Sequence, residues 1–268
     1  MRKTGLRRIK YALFGTAVGF LSAALGIGGG VLFVPVMVLF LGFDIKKAAG
    51  SSLAALVPIA LFGAVAHVVI DPGHLQKEAF VLTVFGAAAG AWLGMVSHRY
   101  ISSTILGKLF GLLIVLTSLK FSGMLDTAGG SGRLMDLPEI YMPLMGLGAG
   151  LCSSFFGIGG GSLFVPGFYF LFSMPLPQAI GTSLALIVPT ALVGSFFHYR
   201  NSNVDTTFVA RTVPAALAGC VAGAFASGIL PVPVLKMALA VFLFVSGVKM
   251  LFRRGTATVE QEGHDTVR

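Results

Sequence analysis

The sequence is poor in charge, and that poverty sets the first limits. Charged residues make up 11% of the 268 positions, where an ordinary soluble domain carries about 25%. Acidic residues are the scarcer sign, ten against nineteen Lys and Arg, and almost none falls within a long apolar stretch. Carboxylates inside a membrane would mark cation or proton pathways, so no such pathway is indicated. Cysteine occurs twice, at Cys152 and Cys220, with no CxxC and no Cys/His cluster. A disulfide framework and a structural zinc site are thereby excluded, and no metal or other cofactor is expected. No nucleophile stands beside a base, and no catalytic dyad is recognisable. The chain does not read as an enzyme.

What it has in abundance is apolar sequence, 56% of all residues. These residues gather in stretches long enough to span a bilayer, which takes about 20 residues as a helix. Eight stretches stand out, at 11–42, 48–70, 79–97, 101–122, 140–173, 179–199, 206–230 and 232–252. They predict an all-α, polytopic helical membrane protein. Its expected parts are a basic N-terminus (1–10), a first membrane repeat (11–125), a linker (126–139), a second repeat (140–252) and a polar tail (253–268).

The net charge is +9, which on a soluble protein would raise nucleic acid as a partner. Here the basic residues sit at segment ends. Arg2, Lys3, Arg7, Arg8 and Lys10 precede the first stretch, and Arg253 and Arg254 follow the last. This is the positive-inside pattern, which places both termini in the cytoplasm. The expected partner is therefore the lipid bilayer and not nucleic acid. The basic start and apolar run could pass for a signal peptide, but the same run recurs in mid-chain.

That recurrence is the strongest signal. Shifted by 131 residues, Gly15–His67 falls on Gly146–His198 without a gap, with 23 of 53 positions identical. Gly26-Ile-Gly-Gly-Gly30 matches Gly157-Ile-Gly-Gly-Gly161, and Leu32-Phe-Val-Pro35 matches Leu163-Phe-Val-Pro166. Gly50-Ser-Ser-Leu matches Gly181-Thr-Ser-Leu, and Pro58, Gly63 and His67 match Pro189, Gly194 and His198. Later the offset is 129, pairing Gly90 and Gly94 with Gly219 and Gly223. Internal repeats are typical of transporter folds.

Segments 11–42 and 140–173 are too long for one span and too short for two. Each is interrupted by four glycines in five residues, and glycine weakens a helix by roughly 1 kcal/mol relative to alanine. Both are expected to be broken or re-entrant helices. As full spans they would make the two halves parallel; as re-entrant hairpins they would make them inverted. Inversion would put Lys46, Lys47, Arg99 and Arg200 in the cytoplasm, and the charge balance slightly favours it.

The repeated broken helices, Gly-Ile-Gly-Gly-Gly before Phe-Val-Pro, and Gly-Ser/Thr-Ser-Leu resemble the TauE/SafE family of bacterial sulfite and organosulfonate exporter-like permeases. The resemblance runs from about Tyr11 to Leu251. It implies transport of a small anion through a bacterial inner membrane.

The residues lead to a compatible expectation. Unpaired N–H groups and the positive dipole end at a helix N-terminus form an anion site, and glycine lets backbone approach a ligand. The candidate binding residues are Gly28, Gly29, Gly30, Gly159, Gly160 and Gly161. Tight helix crossing is the competing reading, although consecutive glycines suit it less than the spacing of four at Gly86, Gly90 and Gly94. The hydroxyls of Ser51, Ser52, Thr182 and Ser183 could add donors, with Ser22 and Ser153 assisting; each could equally cap or back-bond a helix. His67 and His198 are candidates for proton coupling, against plain interfacial placement. Gly26-x-Gly28 lacks the strand context that a dinucleotide fingerprint needs.

The expected function is a secondary transporter, an exporter of a sulfur-containing oxyanion or organosulfonate such as sulfite or sulfoacetate, working by alternating access. The alternatives are an anion channel and an uptake permease for small carboxylates. Substrate, direction, coupling ion and association into homo-oligomers stay open.

Overall fold

The computed structural model describes residues 2–25, 28–98, 100, 102–121, 137–226 and 232–252. Most of the 126–139 linker, the 253–268 tail, and Gly26 and Ile27 of the first glycine run lie outside the described residues. No strand occurs among the described residues. The first half contributes α1 (Arg2–Leu25), α2 (Gly30–Leu39), α3 (Ile45–Ile70), α4 (Lys77–His98) and α5 (Ser103–Phe121). The second contributes α6 (Met142–Phe156), α7 (Gly161–Leu171), α8 (Leu176–Arg200), α9 (Thr206–Ala226) and α10 (Val232–Phe252). Four stretches are long and apolar enough to cross a membrane, namely Ile45–Ile70, Pro72–Ser97, Pro177–Arg200 and Thr206–Gly223. The exterior is apolar too: Phe85, Phe225 and Val69 are more than 70% exposed, as suits a surface solvated by lipid. The chain is a polytopic helical membrane protein.

The long apolar segment that opens each half is broken where the glycines fall. α1 stops before the first run and α2 starts at Gly30; α6 ends at Phe156 and α7 starts at Gly161. Gly28, Gly29, Gly157, Gly159 and Gly160 all have φ between 65° and 84°, a region open to glycine at little cost. That backbone cannot continue a right-handed helix, so the chain turns.

The direction of the turn follows from the contacts. Gly15 and Gly19 of α1 lie on Thr212 and Ala216 of α9, so α1 and α9 run parallel. Ser51 and Ile59 of α3 meet Asp205 and Cys220, so α3 runs parallel to α9 as well. α1 and α3 therefore point the same way, and α2 must come back between them. The rings of Phe14 and Phe33 pack at 5.3 Å and Phe43 reaches Phe208 at 5.9 Å, which traces that return. α1 and α2 form a re-entrant hairpin.

The halves exchange contacts. Gly63 on α3 faces Leu184 on α8, while Gly194 on α8 faces Leu53 on α3; the second contact is the first shifted by 131. Reciprocal contacts of this kind are the mark of a two-fold relation. Sequence rises along one helix where it falls along the other, so α3 and α8 are antiparallel and cross near Pro58 and Pro189. The same exchange joins α5 and α10: Ser118 Oγ donates to Ala240 O at 2.7 Å, and Gly247 lies on Gly111. A two-fold that reverses membrane-crossing helices lies in the membrane plane, so the halves are inverted repeats.

Glycine spacing sets the remaining packing. Added methyls at Gly86 and Gly90 of α4 would run into the carbonyl oxygens of Pro143 and Leu147 on α6. On the equivalent face, methyls at Gly219 and Gly223 of α9 would strike those of Thr16 and Phe20 on α1. Small residues let helices approach this closely where no hydrophobic force between them operates in lipid. Each half's first helix thus lies along the other half's fourth.

Candidate anion site

The two hairpin tips meet at the two-fold. A methyl built on Gly30 would stand 2.6 Å from the backbone of Ile158, and one on Gly28 would stand 2.5 Å from Ile187 Cδ1. One on Gly159 would stand 2.8 Å from Leu56 Cδ1. Leu56 and Ile187 lie near the middles of α3 and α8, which puts the tips near mid-depth. Gly28, Gly29, Gly30, Gly159, Gly160 and Gly161, the glycines singled out in the sequence, are all buried there.

α2 and α7 start from this point and run apart, so their positive dipole ends converge. Leu163 and Phe164 both donate to Gly160 O, and Leu32 and Phe33 both to Gly29 O, at 2.9 Å. A helix leaves its first N–H groups without intrahelical acceptors, and at α7 these belong to Gly161 and Ser162, both buried. Free first-turn donors are ordinary at a helix end exposed to water. Buried at mid-depth they require a partner.

The nearest hydroxyls are orphaned as well. Ser22 and Ser153, equivalent under the 131 shift, are 1% and 0% exposed, and the Oγ of each has no hydrogen-bond partner among the described residues. Ser22 Cβ lies 3.5 Å from where a Gly29 Cβ would stand. Ser162, in the first turn of α7, is 3% exposed and its Oγ is also unpartnered. Buried polar atoms are nearly always bonded. These hydroxyls are therefore candidate donors to a ligand at the tips.

Buried hydroxyls without a partner among the described residues also occur away from the tips, at Thr83, Ser154 and Thr212, but the four candidate hydroxyls Ser51, Ser52, Thr182 and Ser183 are spent on the protein. Ser52 Oγ donates to Gly157 O at 2.8 Å and braces the α6–α7 tip. Ser183 is fully buried and is also engaged. Ser51 Oγ donates to Lys47 O at 2.8 Å and accepts from Asp205 N at 2.7 Å. Thr182 Oγ1 accepts from Gln76 N at 3.0 Å. Ser51 and Thr182 thus hold the loop of the opposite half at the two ends of the molecule. Those ends differ in charge: Lys47 lies 4.0 Å from Asp205, whereas at the equivalent place Gln76 donates to Gln178 at 3.2 Å.

The histidines hold the hairpins instead of meeting at the tips. His67 Nε2 donates to Ala23 O at 3.2 Å and His198 Nε2 to Ser154 O at 3.4 Å, each reaching the first helix of its own half. These contacts fix the proton on Nε2. Beside His67 lies the His74 ring, 5.6 Å between centroids, with His74 Nε2 3.7 Å from Asp71. Among the described residues no group of three His, Cys, Asp or Glu is placed to hold a metal ion.

Sequence reasoning missed Ser162. Its signal was its place directly after the triple glycine, in the first turn of a helix whose start the glycines define. Leu56 and Ile187 carried no signal beyond being apolar.

Residues 2–121 and 142–267 match the family described as Sulfite exporter TauE/SafE. The chain is 25% identical to the probable membrane transporter protein YdhB of Bacillus subtilis, over 90% of this chain and 97% of that one. It is 30% identical to a probable membrane transporter protein of Xylella fastidiosa, over 76% and 79% of the two chains. A probable membrane transporter protein of Haemophilus influenzae is 27% identical over 90% and 97%. No solved structure matches significantly. With matches covering both halves and relatives of nearly the same length, the chain belongs to the TauE/SafE family of membrane transporters.

Proposed function

We propose that the protein is a secondary carrier that exports a small anion, a sulfur-containing oxyanion or organosulfonate such as sulfite or sulfoacetate. The observation that carries this reading is the set of buried donors at the hairpin tips: the first-turn amides of α7 on Gly161 and Ser162, and the unpartnered hydroxyls of Ser22, Ser153 and Ser162. All are neutral groups able to donate a hydrogen bond. An oxyanion of about the size of a sulfonate group accepts several hydrogen bonds at once and benefits from both helix dipoles.

Inverted repeats meeting at mid-depth support alternating access, since rocking one half on the other exposes the same site to either side. The tips are covered by Leu56 and Ile187 and are buried in this conformation, which favours a carrier over an open channel. With α1–α2 and α6–α7 as hairpins, each half crosses three times. Both termini then lie in the cytoplasm of the bacterial inner membrane, together with Lys46 and Lys47.

The test is a thermal-shift screen of purified protein against sulfite, sulfate, thiosulfate, sulfoacetate, taurine and small carboxylates. A ligand at 100 times its Kd stabilises the folded state by about 2.7 kcal/mol. Stabilisation by a sulfur oxyanion or organosulfonate, followed by saturable exchange in liposomes, is expected. Unsaturable flux would make it a channel, and stabilisation by carboxylates alone would move the substrate class.

A further inference from the structure

We propose that His67 and His74 form a binding site for a divalent transition-metal ion such as Zn2+, held by the two Nδ1 atoms at the C-terminal end of α3. The site is separate from the hairpin tips and stands whether or not an anion binds there. His67 lies in the last turn of α3 and is 4% exposed. His74 closes the short 3-10 turn Pro72–His74 that follows, and the two ring centroids are 5.6 Å apart. Each Nε2 faces an acceptor. That of His67 is 3.2 Å from Ala23 O, and that of His74 is 3.7 Å from Asp71 Oδ2. The other oxygen of Asp71 accepts from Gly73 N at 2.8 Å, which holds the carboxylate in place. Both Nδ1 atoms are buried and have no hydrogen-bond partner among the described residues. Asp71 is 59% exposed beside them, so the pair lies next to water at the loop.

This is the arrangement a histidine needs as a metal ligand. With the proton on Nε2, the lone pair on Nδ1 is free. A carbonyl or carboxylate on the far nitrogen fixes the ring and makes the ligating one more basic. Two imidazoles bound to one tetrahedral zinc at about 2.0–2.1 Å have ring centroids about 5–6 Å apart, which the observed spacing meets. Neutral imidazole suits Zn2+, Cu2+ and Ni2+ and is a poor ligand for Mg2+ or Ca2+. No group of three His, Cys, Asp or Glu is placed to hold a metal among the described residues, so water completes the coordination and the ion is exchangeable. The repeat separates this pair from ordinary bracing. Under the 131 shift His67 corresponds to His198, and both halves keep the bond to the first helix. Asp71 and His74 correspond to Ser202 and Asp205, so the second imidazole belongs to one half only. Its loop also lies on the other half: His74 O faces Gly181, and Gln76 N donates to Thr182 Oγ1 at 3.0 Å. A bound ion therefore ties the end of α3, and through His67 the end of α1, to a loop that bridges the halves.

The experiment is a calorimetric titration of purified full-length protein, its affinity tag removed, with Zn2+ and with Mg2+ as the control. A parallel titration with Co2+ reads the visible absorption that tetrahedral ligation produces. The protein is compared with His74→Gln, His67→Gln, Asp71→Asn and His198→Gln, each first checked for monodisperse, cooperative unfolding. Zn2+ binds the unsubstituted protein and Mg2+ does not. His74→Gln and His67→Gln each weaken Zn2+ by at least about ten-fold and abolish the Co2+ bands. Asp71→Asn leaves both ligands in place and weakens Zn2+ by about ten-fold, the usual effect of removing the acceptor behind a ligating imidazole. His198→Gln, at the equivalent place in the other half, keeps the full affinity. His74→Gln changes a loop residue outside the helices, so it keeps the test decisive if His67→Gln does not fold. Absence of Zn2+ binding, or binding to His74→Gln as tight as to the unsubstituted protein, overturns the proposal and leaves the two nitrogens to an ordinary buried water.

Discussion

The backbone N–H of Asp205 donates to Ser51 Oγ at 2.7 Å across 154 positions of sequence, and Gln76 N donates to Thr182 Oγ1 at 3.0 Å in the equivalent place. The two bonds tie the loop of each half to the start of the third helix of the other. They lie at opposite ends of the antiparallel α3–α8 pair, far from the hairpin tips. Ser51→Ala and Thr182→Val should each lower stability by about 1 kcal/mol, the usual net worth of such a bond. The ligand-induced rise in Tm should be unchanged. A variant with wild-type stability and a lost ligand response would place these hydroxyls on the anion after all.

Ser22→Ala and Ser153→Ala should do the opposite. Each hydroxyl is buried without a partner, so its removal relieves a desolvation penalty of about 1–3 kcal/mol. Tm without ligand should hold or rise. Affinity for the anion should fall by ten-fold or more, the loss of one charge-assisted bond. Unfolding scans with and without ligand read both numbers, and a fall in ligand-free Tm would mean that the hydroxyls serve the fold.

Glycine should matter for two separable reasons. Gly90→Leu and Gly219→Leu place a side chain into the carbonyls of Leu147 and Thr16, so folded yield from the membrane should collapse. At Gly148 an added Cβ would meet nothing within 4 Å, and Gly148→Ala should be silent. Gly29→Ala and Gly160→Ala combine a forced positive φ of 65° and 84°, about 1–2 kcal/mol for a left-handed L residue, with loss of approach to the amides. They should reduce binding more than yield, as gel-filtration recovery set against calorimetry would reveal.

Inversion of the halves, with the N-terminus in the cytoplasm, puts the start of α3 inside and its end outside, the reverse of the parallel arrangement. With Cys152 and Cys220 replaced by alanine, Lys46→Cys should react with an impermeant maleimide only in inside-out vesicles. Asp71→Cys should react only in intact cells. Labelling of both from one side would contradict the reading of α3 as a single crossing.

The Lys47–Asp205 pair should count for little. Lys47 is 48% exposed and the separation is 4.0 Å, so screening keeps such a contact below about 1 kcal/mol. Lys47→Gln, which copies Gln178 at the equivalent place, should change Tm by no more than that and should reduce its dependence on salt.

By itself the sequence determined that the chain is helical and membrane-spanning, because the length and apolarity of a segment decide its partition into lipid without reference to any neighbour. It determined the repeat, and it determined that α1 gives way to α2 and α6 to α7 where the glycine runs fall, because consecutive glycines fail locally as helix. The spacing of four at Gly86, Gly90 and Gly94 marked a packing face for the same local reason. Orientation was another matter. Parallel and inverted halves share every local preference, and what distinguishes them is the antiparallel exchange of contacts between the halves, Gly63–Leu184 for Gly194–Leu53 and its counterpart between α5 and α10, a relation between surfaces far apart in sequence. The hydroxyls divide likewise. Ser51 and Ser22 are both serines in apolar helices, and what separates them is whether the fold brings a backbone partner within reach. Asp205 arrives at Ser51, and no partner arrives at Ser22, which tertiary packing alone decides.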